Sequence, residues 1–309
     1  MLVPTRSRPS TLPLLAVAVT LLLWASAFVA IRHLGPSFSP GALSLGRLVV
    51  GSLALGAAML VRGWTPPTRR DWPGLLLIGV LWFGVYNVAL NAGEHRVDAG
   101  TAAMLIQLSP VLVAVLAAVF LKERATPALG VGLLVAFAGV ALIASATSEH
   151  GHRDPVGVLL CLLAAAVYAV SLVFQKPLVS RLPAVEVTWI ACTVGTVACL
   201  PFAGRLVQET AAAGAGDIAW VVYLGAFPTA VAFSTYAFAL SHMSAGNLSV
   251  TTYLVPPLTV LLSWAFLSEA PPAMAYAGGA LCLLGVALAR RRPRARADPG
   301  GDPGAARAG

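Results

Sequence analysis

The sequence predicts an all-α integral membrane protein whose ten transmembrane helices form two inverted five-helix repeats (5+5). Three observations carry that expectation. The chain of 309 residues is 58% hydrophobic and only 10% charged, with a mean hydropathy of +0.84, a balance outside the soluble range. Apolar stretches of roughly 17 to 25 residues, each enough to cross a hydrocarbon core about 30 Å thick as a helix, recur ten times. The second half also repeats the first at a near-constant offset.

The first span, 12–32, follows a basic N-terminal tail at 1–11 and stays apolar through Ile31. An "ASA" at 25–27 mimics a signal-peptidase site, but the apolar run continues past it and its removal would spoil the repeat, so the segment reads as retained. Spans at 41–61 and 73–93 follow, divided by Arg62, Arg69 and Arg70. The fourth, 99–121, contains "LSPVLVAVLAAVFLKE" at 108–123; the fifth covers 128–146. Ala128, Gly132 and Ala136 give the fifth a small-xxx-small face suited to close internal packing, with a homodimer seam as the alternative. Spans at 156–175, 185–205 and 218–239 precede a ninth at 246–267, which contains "LVPPLTVLLSWAFLSE" at 254–269, and a tenth at 272–290. The Pro, Gly and Arg rich tail at 291–309 is expected to be disordered and drawn to anionic lipid.

Leu108, Pro110, Phe120, Leu121 and Glu123 fall on Leu254, Pro256, Phe266, Leu267 and Glu269 at an offset of 146, and "GVAL" at 139–142 recurs at 285–288. The first helices correspond more weakly at an offset of 144, Arg32 falling on Lys176. The repeats are therefore placed at 12–147 and 155–290. Because five is odd, the second enters the membrane from the opposite side, an architecture suited to alternating access with a substrate near the midplane.

The net charge of +8 does not point to nucleic acid. Of the twenty Lys and Arg residues, fifteen fall on segments that share a side with the N-terminus, four on the other side, and Arg47 within a span. The bias places both termini in the cytoplasm of a cell (inner) membrane protein. Cys161, Cys192, Cys199 and Cys282 lie in spans without CxxC or His-paired spacing, so neither disulfides nor a metal is expected. The five histidines sit in loops. No cofactor is expected, and the partners are the bilayer and a small-molecule substrate.

A proline in a helix lacks the N–H donor and collides with the carbonyl four residues earlier. Pro110 thus frees the carbonyl of Ile106, and Pro256 that of Thr252. A bare carbonyl facing lipid costs several kcal/mol, which directs both kinks toward the repeat interface. Other polar positions share helical faces: Trp24 with Thr20; Asn87 with Asn91; Tyr168 and Gln175 with Ser171; Thr252 and Tyr253 with Ser249. Gln107 and Tyr236 add to them. Single Ser and Thr residues read as interhelical glue. Asn87, Asn91 and Gln107, whose amides are dearer to bury, fit cavity lining and packing equally.

Arg47 lies about 9 Å inside its span at 1.5 Å per residue, within snorkelling reach of headgroups. Anchoring is the favoured reading, and attraction of an anionic substrate group the rival one. Glu123 and Glu269 end their helices, where the macrodipole disfavours an anion. They read as turn-holding acceptors for the next helix, with proton coupling second. No other acidic residue lies deep in a predicted span.

The order of "WASAFVAIR" at 24–32, an arginine early in the second span and the paired proline motifs resembles the EamA-type transporters of the drug/metabolite transporter superfamily. The resemblance covers nearly the whole chain apart from the tails. It implies an exporter or, less often, importer of small metabolites, amino acids or drug-like molecules, with a cavity lined mainly by spans 1, 3, 4, 6, 8 and 9. Two departures stand out: Cys192 and Thr193 occupy the place that matches Arg47, and Pro257 doubles the second proline. The expected function is a secondary permease with export as the expected direction, and the alternative a non-transporting scaffold or receptor. An enzyme is disfavoured because no HExxH, Ser/His/Asp set or paired carboxylates occur in the spans.

Overall fold

The computed structural model describes residues 11–120, 154–268 and 273–289, with scattered positions between 131 and 142. Among the described residues every regular element is a helix. The first half supplies α1 (Thr11–Leu34), α2 (Pro40–Arg62), α3 (Trp72–Glu94) and α4 (Ala99–Phe120). The second supplies α5 (Pro155–Val179), α6 (Ala184–Ala198), α7 (Ala203–Ala212), α8 (Ala215–His242), α9 (Ala245–Thr251), α10 (Val255–Leu267) and α11 (Ala273–Ala289). Six of these, α1 to α5 and α8, are long and apolar enough to cross a bilayer, and α6 with the segment beyond it makes a seventh if a bent pair counts as one span. The protein is a multi-pass membrane protein. Most of the fifth predicted span, together with Glu123 and Glu269, lies outside the described residues.

Local chemistry sets the helix ends. Asp98 accepts from the Thr101 N–H at 2.8 Å and its hydroxyl at 2.6 Å, starting α4. Asp154 accepts from the Gly157 N–H at 3.0 Å, with Pro155 in the first turn of α5, where its missing donor costs nothing. The N-terminus of α2 is held from a distance, its preceding Ser39 N–H donating to Glu209 Oε2 at 2.9 Å. Cations close two C-terminal ends, as the helix dipole favours. Arg32 donates to Glu94 O at 3.0 Å at the end of α3; Lys176 donates to Leu240 O at 2.6 Å and Met243 O at 2.8 Å at the end of α8. These two cations are the pair matched in the repeat.

The seventh span differs from its expected extent, 185–205. Helix α6 stops at Ala198, the chain passes through a short 3₁₀ turn at Leu200–Phe202, and the axis bends by 51°. Pro201 supplies the reason, since it cannot donate to the helix behind it. The sequence that follows is polar, and α7 buries none of its residues.

Two spans widen midway into π-helix, α3 at Gly79–Tyr86 and α8 at Gly225–Val231. The segments start at positions that the 146-residue offset equates. Side chains brace both of them: Asn87 Nδ2 donates to Trp82 O at 3.2 Å and Phe83 O at 2.9 Å, and Thr229 Oγ1 donates to Leu224 O at 2.8 Å. Each π segment opens on a glycine pressed against another helix. A Cβ on Gly79 would stand 2.6 Å from Val194 Cβ, and one on Gly225 would stand 2.4 Å from Val50 Cβ.

Packing exchanges the halves. Helix α1 lies against α8 and α10, while its counterpart α5 lies against α3 and α4; α2 meets the π segment of α8, and α6 meets that of α3. Helices α2 and α6 also meet each other. The buried apolar residues of both halves form one continuous core.

Candidate functional site

Helices α1, α2, α3, α4, α5, α8 and the α9–α10 junction line a narrow central cavity of about 40 Å³, well below the roughly 300–1,000 Å³ of small-molecule sites, so that a solute needs its walls to part. Trp24, Arg47, Gln107, Tyr168 and Thr252, five of the residues singled out in the sequence, line it together with Tyr86, Phe233 and Ser109. Most of its remaining wall is aliphatic.

The proline motifs meet at this cavity in a form the sequence reading did not foresee. Pro110 and Pro256 do not kink continuous helices: each lies in the first turn of a new segment, after a break at Gln107–Leu108 and after a 3₁₀ turn at Thr252–Leu254. The carbonyls expected to be bare are satisfied locally. Ser109 Oγ donates to Ile106 O at 2.7 Å, and the Val255 N–H bonds Thr252 O. Sidewise 3₁₀ geometry and a neighbouring hydroxyl thus replace the donor that proline removes. The two breaks face each other: the Thr252 hydroxyl donates to Ser249 O at 2.6 Å and stands 3.3 Å from Oε1 of Gln107.

Arg47 is not an interfacial anchor. It is 3% exposed, and its Nε donates to Thr229 Oγ1 at 3.0 Å, which ties it to the braced π segment of α8. The snorkelling estimate counted residues from the end of α2 and missed that α7, α8 and the end of α3 stand over that end. Glu94 was read as lying just beyond the third span; the helix continues to it, and it is fully buried. It is the last residue of α3, at the end of the span rather than deep in it.

Aromatic rings form one wall. Trp24 stands 4.7 Å from Tyr236, 5.4 Å from Phe233 and 6.3 Å from Tyr168 between ring centroids. Trp82, which no sequence motif marked, stands 5.2 Å from Tyr168 and 5.3 Å from Phe233. The Tyr168 and Tyr236 hydroxyls share a hydrogen bond. Among the described residues the indole N–H of Trp24 has no hydrogen-bond partner, which leaves a donor at the cavity wall for a bound solute. Edge-to-face rings of this kind present negative faces that attract a cation.

The remaining candidates separate into supporting roles. Asn87 braces the π segment rather than lining the cavity. Asn91 Nδ2 donates to Ser44 Oγ at 2.8 Å and Pro40 O at 3.3 Å, holding α3 to α2. Tyr236 backs Tyr168 through their shared hydrogen bond. Gln175 is buried in α5, and Tyr253 packs against the core; neither is among the cavity-lining residues. Pro110 is buried beside Ser109, and Pro256 lies with Pro257 on a separate cleft.

The EamA-like transporter family matches the chain twice, over residues 11–145 and 155–291. A protein of Streptantibioticus cattleyicolor described as a probable terminal-alkyne amino-acid exporter is 40% identical over 94% of this chain and 97% of its own length. The uncharacterised transporter YdfC of Bacillus subtilis is 31% identical over 85% of this chain and 86% of its own. A protein known from a crystal structure shares the fold at a TM-score of 0.66 and 24% identity, over 92% of this chain and 97% of that one.

Proposed function

This chain belongs to the EamA-like transporter family, and from that premise we propose that it exports small zwitterionic solutes, amino acids with apolar side chains foremost, by alternating access through the central cavity. The observation that carries this reading is a buried arginine and an aromatic wall facing one narrow space. Arg47 would hold a carboxylate, the bond of a charged group to its partner being worth about 1.5–3 kcal/mol. The rings about Trp24 would hold an ammonium by cation–π attraction of about 0.5–2 kcal/mol, and the aliphatic remainder of the wall would take the side chain. The S. cattleyicolor relative, described as a probable amino-acid exporter, supports both the substrate class and the direction.

The architecture we attach to it is ten membrane helices in two inverted repeats, with both termini in the cytoplasm of the inner membrane. Support comes from the distribution of arginine and lysine, from the doubled family match and from the exchanged packing of α1 and α5. The chemistry is transport without catalysis. Reconstitution in liposomes tests the reading: apolar amino acids loaded inside should drive counterflow of labelled leucine or norvaline, while the matching amine and the matching carboxylic acid should do so at least tenfold less well. Absence of flux for every amino acid in a broad panel would refute it.

A further inference from the structure

A second space adjoins the central cavity. Between α4, α10 and α11 lies a cleft of about 410 Å³ whose walls include Met104, Pro257, Val260, Ala280 and Leu283. It is apolar except for Gln107 and the ring of Tyr276. Gln107 belongs to both spaces, since it lines the central cavity as well. At the shared residue, Oε1 of Gln107 stands 3.3 Å from the Thr252 hydroxyl, where both segments interrupt their helices. That contact is one long hydrogen bond between two polar side chains, the longer of which, Gln107, turns about its own side-chain bonds. Each partner keeps another bond on its own helix: Thr252 to Ser249 O at 2.6 Å and Gln107 Nε2 to Ala103 O at 3.5 Å.

We propose that this cleft is a second subsite, which takes the unbranched apolar chain of a transported solute whose charged head rests beside Arg47 and Trp24. The inference deepens the amino-acid reading and rests on it for the identity of the head. The occupant is the solute's own chain because the cleft adjoins the head site through a shared residue, while its walls offer a polar group nothing beyond Gln107 and Tyr276. Pro257, which doubles the second proline without a counterpart in the first half, lies on the cleft and adds a rigid ring where a backbone donor would otherwise stand.

The test uses the full-length protein in nanodiscs and two homologous ligand series, straight-chain 2-amino acids and n-alkylamines of three to ten carbons. Beyond the length that fills the central cavity, each methylene should tighten binding about fourfold, which corresponds to roughly 0.8 kcal/mol per buried CH₂. Ala280→Trp should abolish that gain and leave the shortest ligand within twofold of wild type. Leu283→Ala, which enlarges the cleft, should move the plateau to longer chains and guards against misfolding of the tryptophan variant. A chain-length slope in the alkylamines alone would refute the amino-acid head while upholding the chain subsite. No slope in either series, or the same slope in wild type and Ala280→Trp, would overturn the subsite. Labelling of Ala280 and Leu283 by a photoactivatable phospholipid that persists under saturating long-chain ligand would overturn it too, assigning the cleft to lipid.

Discussion

Replacing Gly225 by alanine should unseat the helix contact that positions Arg47. A methyl there would stand 2.4 Å from Val50 Cβ and 2.6 Å from Arg47 O, against ordinary carbon contacts of about 3.5–4.0 Å. Both obstacles are stiff, a β-branched side chain and a backbone carbonyl, so α2 and α8 must part by roughly 1.1–1.6 Å to restore that spacing. Overpacking of this kind costs about 1–3 kcal/mol, while the helical preference of alanine over glycine returns about 1 kcal/mol. Gly84→Ala, in the other π segment, supplies the control: its methyl would meet Ala198 Cβ at 3.7 Å and Gly79 O at 3.8 Å, both ordinary contacts. The difference between the two variants therefore isolates the clash, about 1–3 kcal/mol, or roughly a 5- to 150-fold change in the unfolding equilibrium. Denaturant titration of the purified protein in detergent measures it. Transport should fall with stability in Gly225→Ala, because the helix pushed away carries Arg47, and should hold in Gly84→Ala. Equal stability and equal transport in the two variants would refute the reasoning.

Arg47→Gln should raise the KM for amino acids about 10- to 150-fold, the equivalent of one charge-assisted bond of about 1.5–3 kcal/mol, with membrane insertion unchanged by protease protection; a KM within twofold of wild type would remove Arg47 from the site. Tyr236→Phe deletes one hydroxyl bond behind Tyr168, worth about 1 kcal/mol, so binding measured by calorimetry should weaken no more than about fivefold. Asp71 receives the Thr68 hydroxyl at 2.6 Å and the Thr68 N–H at 3.0 Å, and Arg181 stands 2.9 Å away; the Thr68 bonds and then Arg181 hold its carboxyl below the usual range. A lowered carboxylate stabilises the fold above its unfolded value and loses that contribution as pH falls through the lower folded one. Thermal unfolding should thus be level in this respect from pH 7 to about 5 and decline below about 4, and Asp71→Asn should lack that acid limb.

The sequence made some of this site visible and hid the rest for physical reasons. Matched prolines announced matched interruptions because a missing donor is a property of the residue itself, and the interruptions do face each other at Gln107 and Thr252. How the freed carbonyls are satisfied was not visible, since Ser109 is one hydroxyl among many until its bond to Ile106 O is seen. The π segments escaped a reading based on apolar runs, which are blind to whether a turn holds four or five residues. The pairing of Gly79 with Gly225 at the offset already in use was the available signal. Arg47 was misjudged because depth along one helix says nothing of what stands over its end, and the burial of Glu94 went unseen because it falls one position past an approximate boundary at 93. Asn87 and Asn91 show the limit of composition: a buried amide has to bond something, and only tertiary structure tells a helix's own carbonyls from a ligand.

The crossed packing of α1 with α8 and of α5 with α3 has a consequence for the chain's divisibility. The apolar faces that a tandem domain would satisfy within itself are satisfied here by its twin, so among the described helices neither unit owns an interior. Severing the polypeptide between residues 145 and 155 should leave two fragments that are unstable apart and complementary when coexpressed, like two hands whose fingers are already laced. Such mutual dependence also explains why a fault in one unit, a bulky side chain at Gly79 for instance, would be felt at once in the other.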